Sequence, residues 1–135
     1  MKHFSAISRY PLSAMTLAAI TYLSLFRPPS IGELQSIPHL DKIVHFCMYA
    51  SLTSLLIIES VGLWKKGHKA NITSASCKSA IAATLFGGMM EILQGSMTDY
   101  RSADILDFAT NAAGSMAAAA TIWLIIRKRN KKDRL

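Results

Sequence analysis

Four apolar runs, each with few interruptions, leave this chain little choice of architecture. They cover about 10–26, 43–63, 79–97 and 103–126 of a 135-residue sequence. A water-soluble core of this size needs stripes of apolar residues, and these are continuous runs instead. Inside a bilayer, only helices and closed barrels satisfy every backbone polar group. So short a chain has too few alternating segments to close a barrel. The expected fold is therefore all-α: one polytopic domain over residues 1–135, built as a four-transmembrane-helix bundle.

The breaks between runs fit this reading. The first run, Tyr10 to Phe26, has seventeen uncharged residues and ends at Arg27-Pro28-Pro29. No small-x-small cleavage pattern follows it, so an uncleaved anchor is expected. Pro28, Pro29, Gly32 and Pro38 break up the first connection. A basic loop with Lys65, Lys66, Lys69 and Lys78 precedes the third run, and a tight turn at 98–102 joins the third to the fourth. Gly87, Gly88, Gly114, Ser115 and Ala117 to Ala120 are small enough for helix backbones to approach closely.

A net charge of +7 would suggest nucleic acid if it were spread over a soluble surface. Here Lys and Arg fall between the apolar runs. The amino terminus, second connection and tail hold two, four and six of them, while the first and third connections share three. Positive-inside bias then places both termini in the cytoplasm and predicts a multi-pass protein of a cytoplasmic membrane. No nucleic-acid partner is expected. Cys47 and Cys77 should lie near opposite membrane faces, which argues against a disulfide, and Cys47 is expected to be simply buried.

The polar residues within the runs gather at one end. Asp41, Lys42 and His45 open the second run, with Tyr49 continuing the same face. Glu91 and Gln94 close the third, three residues apart. Asp104, Asp107, Asn111 and Gly114 follow a 3-4-3 spacing on the fourth, and Arg101 lies in the turn before it. Each has a structural explanation: helix capping for Asp41 and Asp104, snorkelling for Lys42, an interhelical bond for the rest. Glu59, near the opposite end, is expected to reach Lys65 or Lys66. An interhelical hydrogen bond in a membrane averages only about 0.6 kcal/mol, against about 2.5–3.5 kcal/mol to insert one charged residue at mid-membrane. That imbalance favours a shared externally facing cleft over mere structural glue.

Chemically, His45 can serve as a general base with Glu91 or Asp107 as its carboxylate partner, which makes these three the candidate catalytic residues. Asp41, Lys42, Tyr49, Gln94, Arg101, Asp104 and Asn111 are the candidate ligand-binding residues, with the Arg101 fork suited to phosphate. His45, Glu91 and Asp107 could instead hold a divalent cation, but no compact motif such as H-E-x-x-H assigns a metal, and no cofactor is legible.

Asp41-Lys42-x-x-His45, Glu91-x-x-Gln94 and Arg101-x-x-Asp104-x-x-Asp107-x-x-x-Asn111-x-x-Gly114 together resemble the signature of the VanZ-like family. The resemblance runs from about Pro38 to Ala117. It implies a small bacterial cell-envelope membrane protein, and the family's namesake is linked to resistance to the glycopeptide teicoplanin. The leading expectation is an external cleft that binds an anionic amphiphile, such as a lipid-linked precursor or a membrane lipid headgroup. The alternatives are a small membrane hydrolase or transferase acting on a lipid, and a structural or accessory subunit; an oligomer is compatible with each.

Overall fold

The computed structural model describes residues 6–26, 37–64, 71–99 and 102–133, and among them every regular element is helical. A single turn, α1 (Ala6–Arg9), leads into α2 (Pro11–Leu25). Three long helices follow: α3 (Leu40–Trp64), α4 (Ile72–Met97) and α5 (Ile105–Lys132). Two of them, α3 over Leu40–Gly62 and α5, are long and apolar enough to cross a membrane, and α2 is a shorter apolar helix.

The boundaries follow local chemistry. Pro11 opens α2, where its missing N–H costs nothing. Asn71 caps α4 by accepting a hydrogen bond from the Ser74 N–H at 3.1 Å. That cap moves the helix start to Ile72, about two turns before the expected Ser79, so Cys77 and Lys78 are helical rather than loop. Asp104 caps α5 through the Leu106 N–H at 2.8 Å. At its other end α5 runs past 126 to Lys132, where Arg129, Lys131 and Lys132 complement the negative end of the helix dipole.

Specific contacts fix the order of directions. Leu12 at the start of α2 meets Glu59 near the end of α3, whereas Ser24 at the end of α2 meets Gln94 at the end of α4. His45 near the start of α3 meets Asn111 near the start of α5, and Thr73 at the start of α4 meets Trp123 late in α5. The four helices therefore alternate up and down, with α3 and α5 parallel and in the most extensive contact.

Close approach depends on three glycines. A Cβ at Gly114 would meet the Phe46 backbone, colliding with its carbonyl oxygen. One at Gly87 would come within 3.0 Å of the Tyr49 ring and 3.2 Å of Asn111 Cβ, and one at Gly88 within 3.1 Å of Phe108. The helices therefore pack backbone to side chain where membrane helices are held by contact and not by expulsion of water. The core proper is small and centres on Ile20, Tyr49, Leu52 and Ala83. Many large apolar residues, Ile81, Leu85, Ile92, Ile105 and Ile125 among them, point outward. That is an inside-out surface, which a bilayer tolerates and water does not. Cys47 lies on this outer face and is exposed, contrary to the expected burial, because its neighbours His45 and Tyr49 take the inward positions.

Candidate functional site: a polar funnel at one end of the bundle

The start of α3, the end of α4 and the start of α5 come together, and their polar stripes face one another. At the mouth, the Lys42 ammonium lies 2.9 Å from Asp107 Oδ1, 3.5 Å from Asp104 Oδ2 and 3.7 Å from Asp41 Oδ2. Side-chain exposure falls inward, from 50% at Asp41 and 40% at Asp104 to 25% at Lys42 and 13% at Asp107. The floor is dry. His45 is 3% exposed, Glu91 5% and Asn111 fully buried.

On that floor the His45 ring Nδ1 is 2.9 Å from Asn111 Oδ1 and 3.8 Å from Glu91 Oε1. The Asn111 oxygen accepts from the ring when Nδ1 carries the proton, and in that tautomer the neutral ring keeps a lone pair on Nε2. The other Glu91 oxygen accepts the Asp104 N–H at 3.3 Å, which ties the end of α4 to the cap of α5. Asn111 Nδ2 is buried with no hydrogen-bond partner among the described residues. Leaving a buried donor unsatisfied costs about 1–3 kcal/mol, so the amide is held there at a cost.

Asp104, just outside the α5 span, titrates below the usual carboxylate range. The Leu106 N–H it caps is the main cause; the Lys42 ammonium reinforces it, against partial desolvation. Asp104 therefore both caps a helix and helps to hold Lys42, as two carboxylates and an ammonium at this spacing require.

Of the expected site residues, six converge: Lys42, His45, Glu91, Asp104, Asp107 and Asn111. Asp41 is at the outer edge of the same mouth. Tyr49 lies a layer deeper, buried and packed on Phe86 with ring centroids 6.2 Å apart. Gln94 turns sideways, donating to the Ser24 carbonyl at 3.0 Å and so binding α2 to α4. Arg101 is outside the described residues. Sequence reasoning took Lys42 as a partner for Asp41 or for headgroups. Its shortest contact is Asp107, 65 residues away, which no local spacing could reveal.

The expected partners of Glu59, Lys65 and Lys66, lie outside the described residues. Among the described residues its carboxylate caps α2 from another helix. It accepts the Leu12 N–H at 2.8 Å, the Ser13 N–H at 3.1 Å and the Ser13 hydroxyl at 2.6 Å. The clue available in the sequence was the lack of any capping side chain at Tyr10.

A separate apolar groove lies between α4 and α5 at the basic end, bounded by Thr73, Ala80, Met116 and Trp123. It holds none of the funnel's residues. Compared with known proteins, the chain matches no family model, and no curated protein or solved structure is similar to it, so what the funnel does rests on its own side chains.

Proposed function

We propose that this chain is a VanZ-like membrane protein of the bacterial cell envelope whose α2 to α5 cross the cytoplasmic membrane four times. Both termini face the cytoplasm, and the funnel opens on the external side. There it receives the polar head of an anionic amphiphile, such as a lipid-linked carrier or precursor, while the tails lie along the exposed apolar helix faces. Through that ligand the family resemblance extends to glycopeptide susceptibility.

One observation carries this reading: the fully buried Asn111, its Nδ2 without a partner among the described residues, beneath a charged and partly open mouth. A bundle held by structural bonds alone gains nothing from an unsatisfied amide, whereas a headgroup oxygen satisfies it. The imidazole of His45 adds a second adaptable partner on the same floor. Arg101, three residues before Asp104 in the sequence, carries a fixed positive charge.

The test is lipid retention. Protein purified in mild detergent is expected to carry a phosphate-bearing lipid detectable by native mass spectrometry. R101A is expected to lower its retention at least tenfold. Equal retention with and without Arg101 sinks the proposal.

A hydrolase or transferase is favoured by a different observation: a buried imidazole oriented by Asn111 Oδ1 at 2.9 Å, with the Glu91 carboxylate 3.8 Å from the same nitrogen. It predicts turnover of a lipid ester or phosphoester that disappears in H45A while the fold is kept.

A further inference from the structure

We propose that His45, Glu91 and Asp107 bind a divalent transition-metal cation on the floor of the funnel. One nitrogen of the imidazole and one oxygen of each carboxylate lie within 4.8 Å of one another, drawn from three different helices. Ligands around a four-coordinate zinc are about 3.3 Å apart, given bonds of about 2.0–2.1 Å. Side-chain movements of under about 1 Å close the difference, less than a rotamer change. The sequence assigned no metal because the three ligands are dozens of residues apart; the folded helices supply the compactness that no motif showed.

Charge argues in the same direction. Among the described residues, Asp41, Asp104 and Asp107 put three carboxylates around the ammonium of Lys42, and Glu91 faces His45. Lys42 engages Asp107 through Oδ1, and the carboxylate offers its second oxygen to a metal. A divalent cation held by Glu91 and Asp107 offsets their two negative charges and offers an anionic headgroup a cation to bind. The metal site thus gives an acidic funnel a means to take an anion, although metal binding itself does not depend on the amphiphile reading.

The surrounding side chains suit the role. Asn111 Oδ1 at Nδ1 orients the imidazole, as the outer partners of metal-bound histidines do. Asn111 Nδ2, buried and without a partner among the described residues, lies toward α4 at Gly87, one turn from Glu91. A water or headgroup oxygen on the metal gives it an acceptor. A mixed imidazole and carboxylate set selects zinc, manganese or iron over calcium and magnesium, and three protein ligands leave positions open toward the mouth.

The experiment is a titration of the tag-free, chelator-stripped full chain in detergent without added lipid. Zn²⁺ and Mn²⁺ are followed by calorimetry, and Co²⁺ by its visible absorption. One ion per chain is expected, with a Co²⁺ band indicating nitrogen and oxygen ligands. E91Q and D107N, which keep side-chain shape, are expected to weaken binding at least tenfold. E59Q, at the opposite end, is expected to leave it unchanged. Wild-type binding no tighter than that of E91Q and D107N overturns the site.

Lipid retention measured in parallel separates the two readings. Lipid retained in excess EDTA by a chain that binds no metal overturns the metal site and leaves the lipid reading intact. Stoichiometric metal binding by a chain that retains no lipid supports the site and counts against the amphiphile alone.

Discussion

The bundle holds two inward-facing carboxylates near its opposite ends, and they are treated differently. Glu59 accepts three hydrogen bonds, all from the first turn of α2, and with them its end of the bundle is closed by backbone chemistry. Glu91 accepts the Asp104 N–H at 3.3 Å and faces an imidazole at 3.8 Å, beside an amide whose Nδ2 has no partner among the described residues. The first arrangement is what a fold uses to satisfy a charge. The second sets a buried amide donor without a partner among the described residues beside the carboxylate, and such a donor has value only when something arrives to use it. A polar residue in a membrane helix is thus no sign of a site by itself; the state of its hydrogen bonds distinguishes the two cases.

Substitutions can break or sharpen this contrast. The largest effect is expected for Glu59→Ala, which removes a charged acceptor and orphans the donors it held. Hydrogen bonds to charged groups contribute about 1.5–3 kcal/mol each and are not additive, so a total loss near 3–4 kcal/mol is expected in unfolding measured in bicelles. Gly114→Val comes next. Its Cβ would strike the Phe46 carbonyl, and overpacking of this kind costs about 1–3 kcal/mol, read as lower thermal stability by circular dichroism.

Asn111→Leu is expected to change stability by less than about 1 kcal/mol, because it removes one hydrogen bond together with an unsatisfied donor. The same variant should lose ligand retention. If it destabilises the protein as much as Glu59→Ala does, the funnel is structural glue and the contrast between the ends disappears.

The smallest effect is the acid response of Asp104. Its folded pKa lies below the unfolded value, so its stabilising contribution is complete above about pH 3.9 and is lost as pH falls through the lower folded value. Asp104→Asn keeps an acceptor for the Leu106 N–H but removes the charge beside Lys42. It should therefore flatten the stability profile only at the acid end of a pH series of thermal melts.

Much of this was legible before any coordinates. The four apolar runs mark α2 to α5 because satisfying the backbone in an apolar setting demands helices, and helical spacing placed His45, Glu91, Asp107 and Asn111 on inward faces. Gly114 and Gly87 were readable as close-contact points for the same reason. The start of α4 was not, since Thr73, Ser74, Ser76 and Lys78 have the composition of a loop and become helical behind the Asn71 cap. Nor was the Lys42–Asp107 pair, which requires α3 and α5 to be parallel neighbours, a fact about the whole bundle. The capping of α2 by Glu59 was not legible either, because its donors lie 46 and 47 residues earlier in the chain.

That separation has a consequence for the order of events during synthesis. The first amide groups of α2 are made well before the carboxylate that completes them, a delay of several seconds at about 5–20 residues per second. Through that interval the leading segment has no acceptor of its own at its front end, so its final docking waits for the next helix to emerge. Of the helices in this bundle, α2 is made before the others and is among the last to settle.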